Sequence, residues 1–246
     1  MHRIFINGEK LSSENIIITD DNFNHIAHSL RLNPGDRIIV SNGEGKDFEV
    51  ELREFFSDRV EARIIRKLDK NNEPGLRVTL AQAIPKNRNM ELVVEKVTEL
   101  GAVKVIPLIT RRTVVRLQGK KARKRTARWQ RIAKAAAGQS GRSIIPFIEE
   151  ICTIEELKII SVDYDLLIIL RVGEDKNDFQ KLFSRLNIKD IESALVIVGP
   201  EGDLTEKEVR TLDGEKVGLG PRILRTETAG LVALSILFYL SGDMGW

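Results

Sequence analysis

The spacing of hydrophobic residues changes at about residue 70, and the two parts of the chain predict different kinds of structure. The first part consists mainly of short runs rich in β-branched residues, which are typical of strands. Strands are predicted over Arg3–Ile6, Ile16–Thr19, Arg37–Ser41, Asp47–Phe55 and Val60–Leu68. One helix is predicted over Asp21–Arg31, and it ends before Pro34 and Gly35. This pattern indicates a small β-barrel-like module with one helix.

A polar stretch with turn residues, Asp69–Gly75, follows this module, and we place a domain boundary there, between domains 1–72 and 73–246. Beyond it, apolar strands alternate with helices. The predicted strands are Leu76–Ile84, Val103–Ile109, Asp165–Arg171, Ala194–Gly199 and Lys216–Gly220. The predicted helices are Met90–Leu100, Lys120–Ala137, Thr153–Ile160, Phe179–Leu186 and Thr226–Ser241, with a second capping box at Thr205–Glu208. Such alternation predicts an α/β domain with a parallel sheet.

Composition excludes several classes of protein. Cys152 is the only cysteine among 246 residues, so there is no disulfide framework and no cysteine-based zinc site, and a reducing cytoplasm is expected. The longest apolar run, Leu231–Leu240, is interrupted by Ser235 and is shorter than the roughly 20 residues that span a membrane. His25 and His28 are three residues apart, but no third metal ligand is apparent. We therefore expect neither a membrane segment nor a metal site.

The charge of the chain is unevenly distributed. Residues 111–142, the basic block, contain 12 Lys and Arg and no Asp or Glu, whereas the remaining residues hold 27 basic and 36 acidic side chains, a charge of −9. The helix predicted within the block has a buried stripe that begins at Trp129 and a separate cationic stripe that includes Lys121, Lys124 and Arg128. A surface without acids suits a polyanion such as nucleic acid, although an ordinary solvated helix face is the alternative.

Two turns that contain glycine come directly after predicted strands. Gly199–Gly202 follows the strand Ala194–Gly199, and Gly218–Pro221 ends the next one. Small ligands usually bind outside the carboxyl ends of parallel strands, and glycine lets the backbone approach them closely. Any strand-to-helix turn can contain glycine, so each turn alone is weak support. There is neither a Walker loop nor a G-x-G-x-x-G motif for nucleotide or dinucleotide phosphates.

Taken together, the turns lie within a longer pattern that resembles the bacterial RsmE-type 16S ribosomal RNA uracil-N3 methyltransferases. The matching segments are His25–Arg31 with Gly35–Asp36, Leu80–Lys86, Glu95–Gly101, Ile106–Leu108, Gln139–Arg142, Gly199–Gly202 and Leu219–Ala229. They cover nearly the whole chain in the family's order, and the last is long and specific. The chain departs from the family pattern at three positions. The family usually has an acid where this chain has Gly138, often has a second histidine in place of Asn24, and often has a third glycine in place of Asp203.

The resemblance implies a SPOUT-type α/β domain with a C-terminal trefoil knot, preceded by a PUA-like β-barrel domain. It also implies S-adenosylmethionine as the cofactor, 16S ribosomal RNA of the small subunit as the substrate, a homodimer and no metal. The residues implied to bind the cofactor are Leu170, Gly199, Glu201, Gly202, Leu219, Gly220, Ile223, Leu224, Thr226 and Ala229. The final helix is apolar on nearly every side, so it must be buried within its domain or against a partner.

The resemblance assigns further roles at the substrate. Glu201 or Glu227 would remove the N3 proton or orient the base, although either could instead be a structural carboxylate paired with Arg225. Arg225 would stabilise the developing uracil anion. The side chains expected to bind RNA are cationic: Arg3, Arg31, Lys86, Arg88, Arg112, Lys121, Lys124, Arg128 and Arg142.

Two other functions remain open at this point. Another SPOUT activity, ribose 2′-O-methylation, would use the same fold, because a knot does not specify the acceptor atom. A non-catalytic RNA-binding factor in ribosome assembly would keep the fold without the reaction.

Overall fold

A computed structural model of the chain describes residues 1–7, 14–69, 72–86, 89–173 and 178–244. By contact, the chain divides into two compact units. The first comprises residues 1–73 together with 137–145, and the second comprises 74–136 and 146–246. The sequence gives no sign that residues 137–145 return to the first unit, and a boundary at 72/73 leaves them in the second domain.

The first unit is built on a five-stranded sheet in the order β1-β3-β4-β5-β2. Its strands are β1 (Arg3–Phe5), β2 (Asn15–Thr19), β3 (Arg37–Ser41), β4 (Asp47–Phe55) and β5 (Arg59–Leu68). The β1–β3 pair is parallel and the other pairs are antiparallel. One face buries a core of aliphatic side chains that includes Ile16, Ile38 and Leu52, so the strands predicted from alternation are confirmed.

The predicted helix of this unit has two parts. It begins as the α-helix α1 (Asp20–Asn24) and continues as a π-helical turn over His25–Ser29. The Leu30 N–H donates to the His25 carbonyl at 2.8 Å, which is the longer i→i+5 spacing. Arg31 then ends the segment with φ +53°. Hydrophobic spacing predicts the helix but not this change of winding.

The second unit contains a six-stranded sheet in the order β11-β9-β10-β6-β7-β8. The strands are β6 (Arg77–Ala83), β7 (Lys104–Leu108), β8 (Phe147–Ile148), β9 (Leu166–Leu170), β10 (Ser193–Val198) and β11 (Glu215–Val217). Every neighbouring pair is parallel, as predicted. The two-residue strand β8 is too short to be recognised from the sequence.

Helices cover both faces of this sheet. They are α2 (Asn89–Leu100), α3 (Gly119–Gln139), α4 (Ile154–Ser161), α5 (Phe179–Arg185), α6 (Glu206–Leu212) and α7 (Thr226–Leu240). Alternate strand residues face opposite cores: Val196 packs with side chains of α2, α3, α5 and α7, whereas Leu195 and Ile197 pack with those of α4 and α6. Both predicted capping boxes are present, at Thr153 and Thr205.

Candidate active site at the carboxyl edge of the parallel sheet

A cavity of about 350 Å³ lies where β9 and β10 end, a volume within the range of small-molecule sites. The residues that line it come from the ends of these strands, from the segments that follow β9, β10 and β11, and from the start of α7. They are Leu170, Arg171, Val172, Gly173, Val198, Gly199, Pro200, Glu201, Asp203, Leu219, Gly220, Pro221, Arg222, Ile223, Leu224, Thr226 and Ala229. The structure therefore brings together all the residues expected at the cofactor except Gly202.

The first turn is closely packed at Gly199. A Cβ atom at this position would lie 3.0 Å from the Leu204 nitrogen and 3.3 Å from the Asp203 carbonyl carbon, both of which are backbone atoms. The turn closes through a hydrogen bond of 2.8 Å from the Asp203 N–H to the Pro200 carbonyl. Arg112 donates to the Gly202 carbonyl at 2.5 Å, so Gly202 contacts a cationic side chain. The strand-end glycine is required by the backbone geometry of the turn.

A buried hydrogen-bond chain connects this turn with the start of α7. The Thr226 hydroxyl donates to the Gly199 carbonyl at 2.6 Å and accepts from the Gln82 side-chain amide at 2.9 Å. Gln82 is fully buried near the end of β6, and Thr226 is 5% exposed. Three elements are thus held together beside the cavity. Gln82 lies in the matching segment Leu80–Lys86, but it was not predicted as a site residue, because a single glutamine in an apolar strand does not by itself indicate a site.

The candidate catalytic side chains differ in exposure. Arg225, the N-cap residue of α7, has a side chain that is 85% exposed, and its guanidinium lies 3.9 Å from a Glu227 carboxylate oxygen. Glu227 is only 13% exposed and accepts a shorter hydrogen bond, 2.9 Å, from the Asn89 side chain. Glu201 is exposed and accepts from the Lys86 backbone N–H at 3.4 Å. Asn89 therefore holds Glu227 more closely than Arg225 does, which the sequence did not indicate.

The cationic side chains expected at RNA occupy different environments. Exposed side chains are Arg31, Lys86, Arg112, Lys121, Lys124 and Arg128. Arg88 lies outside the described residues. On α3, Arg128 forms a 2.8 Å ion pair with Glu91 of α2, and Arg125 lies 3.6 Å from the same carboxylate. Part of the positive charge of the helix is therefore already balanced.

Two expected RNA contacts require correction, because their guanidinium groups are buried in ion pairs of the first unit. Arg142 is 2% exposed and binds Glu73 with two nitrogens, at 3.0 and 2.5 Å. Arg3 has a side chain 7% exposed, 2.7 Å from Asp47. Each carboxylate also accepts from Ser143, Glu73 from its N–H and Asp47 from its hydroxyl. In this structure neither arginine presents its charge to a phosphate.

Glu208 connects the start of α6 with the loop after β7. Its carboxylate accepts from the Arg111 N–H at 2.8 Å and from the Thr205 N–H at 2.7 Å. Burial alone would raise the pKa of Glu208, but these hydrogen bonds outweigh it and hold the pKa below its usual range. The carboxylate is thus a fixed negative group behind Arg111 and Arg112.

Comparison with known proteins identifies the family. The RNA methyltransferase domain model matches residues 71–238, and the RNA methyltransferase PUA domain model matches residues 18–65. Ribosomal RNA small subunit methyltransferase E of Bacillus subtilis is 38% identical over 255 residues, covering 99% of this chain and all of that protein. The chain belongs to the ribosomal RNA small subunit methyltransferase E family.

Other members of the family agree in sequence and in structure. The protein of the same name from Mesomycoplasma hyopneumoniae is 30% identical, with 96% of this chain and 98% of that protein covered. The crystal structure of the Neisseria gonorrhoeae family member bound to S-adenosyl methionine superposes with a TM-score of 0.85 at 29% identity, covering 98% of each chain. The predicted architecture, a PUA-like domain before a SPOUT-type α/β domain, is confirmed.

None of the helices in the described part of the chain combines the length and the hydrophobicity needed to cross a bilayer. Within the same residues, no three His, Cys, Asp or Glu side chains are grouped in a way that could hold a metal ion.

Proposed function

We propose that this protein transfers a methyl group from S-adenosylmethionine to N3 of a uridine in 16S ribosomal RNA of the small subunit, in the cytoplasm. The observation that carries the proposal is the cavity at the carboxyl edge of the sheet, where the residues expected at the cofactor converge. Membership of the methyltransferase E family supports the substrate class. The choice of uracil N3 comes from the family that the motifs resemble.

The cavity fits the cofactor chemically. Its apolar wall, with Leu170, Leu219, Ile223 and Leu224, suits the flat adenine ring. The turn at Gly199 holds main-chain groups close to the cavity, and these groups suit the polar edge of the ring. When bound, S-adenosylmethionine supplies an activated methyl group on a sulfonium. The protein has to hold this group in line with its acceptor, and orientation of this kind can contribute roughly 7–11 kcal/mol.

The uridine has to be unpaired, because N3 lies on the Watson–Crick edge of the base. N3 carries a proton in neutral uracil, and that proton must leave at or before attack on the methyl group. Glu201 and Glu227 are the candidates to accept it. Glu201 lines the cavity but is exposed, whereas Glu227 is 13% exposed and is held by Asn89 at 2.9 Å but is not among the residues that line the cavity. Arg225, largely exposed beside Glu227, stabilises the negative charge that develops on the uracil.

The exposed cationic side chains of the basic block bind the RNA. Lys121, Lys124 and Arg128 on α3 and Arg112 beside Gly202 bind phosphates, and Lys86 does so near the cavity. Arg31 is the exposed candidate for binding RNA in the first unit. Arg3 and Arg142 are left out because their ion pairs bury them.

Nucleoside mass spectrometry after incubation with undermodified small subunits is the decisive experiment. We expect 3-methyluridine to appear only when both the protein and S-adenosylmethionine are present. A 2′-O-methylated nucleoside would replace the proposal with ribose methylation. Absence of cofactor binding by calorimetry, with RNA binding intact, would instead leave an assembly factor.

The role of Arg225 has its own test. Arg225→Ala should lower kcat by at least about 10-fold while leaving the Kd for S-adenosylmethionine within about twofold, because the side chain is 85% exposed and is not among those that line the cavity. Arg210→Ala, an exposed arginine on α6, is the matched control and should change neither constant. A loss confined to cofactor affinity would refute the assigned role.

A homodimer and the trefoil knot complete the proposal. α7 supports the dimer, because Tyr239 is 70% exposed and Leu240 36% exposed at its C-terminal end. Both side chains line an apolar groove of about 650 Å³ with Phe179, Phe183 and Ile236. Surface of this composition is typical of a subunit interface. For the knot, the support is the convergence of the segments after β9, β10 and β11 on one cavity.

A further inference from the structure

Asp203 adopts a backbone conformation that usually requires glycine. Its φ is +62°, in the left-handed region, where Asp is one of the few side-chain-bearing residues that are tolerated. The side chain stabilises the conformation locally, because its Oδ1 accepts from the Leu204 N–H at 2.7 Å. Its other oxygen, Oδ2, lies 3.2 Å from Nε of Arg171. Each oxygen of the Asp203 carboxylate therefore has a partner: Oδ1 contacts Leu204 and Oδ2 contacts Arg171.

Arg171 connects three segments around the cavity. It follows β9, and its backbone N–H donates to the Val217 carbonyl of β11 at 3.0 Å. Its guanidinium contacts Asp203, the Leu204 carbonyl at 3.4 Å and Glu206 at 2.8 Å. The Arg171 and Asp203 side chains are only 16% and 22% exposed, so solvent screens this pair less than an open surface pair. Both residues line the cavity.

We propose that Arg171 and Asp203 form a clasp that fixes the Pro200–Asp203 turn in the shape required by the cofactor, as positioning residues for the cavity. The proposal rests on the proposed function, in which this cavity holds S-adenosylmethionine. The clasp acts on the turn, because the ion pair joins the end of β9 to the last residue of the turn. At a backbone position where glycine would be conformationally free, Asp203 instead makes a fixed side-chain contact with Arg171. Binding of the methylated cofactor and of its demethylated product therefore depends on it equally.

Calorimetric titration of S-adenosylmethionine and S-adenosylhomocysteine measures this dependence. Arg171→Met and Asp203→Gly should each raise both Kd values about fivefold, the effect of an interaction worth about 1 kcal/mol. Glycine tolerates the positive φ, so Asp203→Gly removes the clasp without straining the backbone. The double variant should bind no more weakly than the weaker single variant, since both substitutions break the same contact. Asp203→Asn keeps an acceptor for Leu204 and should lie between wild type and Asp203→Gly.

The matched control is Lys104→Met. Lys104 forms a 3.0 Å ion pair with Glu149, but it begins β7 and so lies at the opposite, amino edge of the sheet. Its removal should change neither Kd. The Arg171 and Asp203 variants should raise KM for the cofactor by a larger factor than they lower kcat, which separates positioning from chemistry.

A second measurement does not require cofactor. Hydrogen exchange at the Leu204 amide in the cofactor-free protein should be faster in Arg171→Met than in wild type and unchanged in Lys104→Met. Unchanged Kd values and unchanged exchange would overturn the clasp, as would additive losses in the double variant. A loss for S-adenosylmethionine alone would also overturn it, because the Asp203 carboxylate would then act on the sulfonium charge. If wild type binds no cofactor, the proposed function fails, whereas the exchange experiment still tests the clasp.

Discussion

Gly199 is a position in the candidate site where an added Cβ atom would press against backbone atoms. The nearest neighbours of an added Cβ are backbone atoms of Leu204 and Asp203, which cannot move without opening the turn. Gly199→Ala should weaken cofactor binding by at least about 10-fold and destabilise the fold by about 1–3 kcal/mol, as overpacking does. Calorimetry and thermal unfolding measure the two effects. Gly75→Ala is the control, since its Cβ would lie 3.6 Å from an Asp243 oxygen, an ordinary contact.

The cysteine gives a second prediction at the residue scale. Cys152 is 8% exposed, and burial, with the nearby Glu156 and Glu149 charges, raises its pKa to about 12. The thiolate is the reactive form, so the native protein should react with a thiol reagent only very slowly at about pH 8. Addition of denaturant should release one fast-reacting thiol. Rapid labelling of the native protein would show that the site opens more readily than its burial indicates.

At the scale of elements, the sequence predicted the buried stripe of the basic helix α3 but not the ion pairs that this helix forms with α2. The buried stripe around Trp129 was recognised from its spacing, and Trp129 is 1% exposed. The ion pairs of Arg125 and Arg128 with Glu91 were not recognised from the sequence, because Glu91 lies on α2, more than 30 residues earlier in the chain. Local sequence shows which charges share a helix face, but it does not show what packs beside that face.

The ion pairs with Glu91 distinguish two pairs of cationic residues on α3 that can be tested separately. Lys121→Gln with Lys124→Gln should flatten the salt dependence of RNA binding, by up to about 0.7–0.9 log units per lost phosphate contact. Arg125→Gln with Arg128→Gln should flatten it less, since Glu91 already neutralises part of that charge. Binding measured over a series of salt concentrations distinguishes the pairs. An unchanged slope in the lysine variant would make α3 an ordinary solvated face.

Glu208 gives the first turn of α6 a pH dependence. Its pKa is lower in the folded protein than the usual 4.5, because hydrogen bonds from Arg111 and Thr205 outweigh burial. The stabilisation is therefore fully present above pH 4.5 and is lost as the pH falls through the folded pKa. Glu208→Gln should lower the free energy of unfolding at neutral pH by about 1–2 kcal/mol and weaken its fall in acid. Denaturant titrations at several pH values check this, and a parallel acid curve for both proteins would contradict it.

At the scale of the whole molecule, the predictions from sequence were most successful where the signal was local. Periodicity predicted the strands of both sheets, except the two-residue β8, and the helices of the parallel domain. The family that the motif Leu219–Ala229 resembles led to the prediction of several residues that line the cavity. Long-range ion pairs escaped prediction. Arg142 looked like part of an RNA surface, but its partner Glu73 lies 69 positions away and buries it. Residues 137–145 belong to the first unit. No change in amino-acid composition at these residues indicates that they do.

The exposed apolar end of α7 gives the prediction that tests the molecule as an assembly. Tyr239 is 70% exposed beside the apolar groove, so burying a charge there should disfavour a dimer. Light scattering of wild type should give a mass near twice the 27.8 kDa of one chain, and Tyr239→Asp should shift it toward one chain at micromolar concentration. Ile159→Asp, at a site 73% exposed on α4, is the matched control and should remain dimeric. A monomeric wild type would remove the dimer from the proposal, whereas dissociation by both variants would show a general effect of added charge. If the groove is the interface, the Tyr239 variant should also lose cofactor affinity, because Leu219 and Gly220 line both the groove and the cavity.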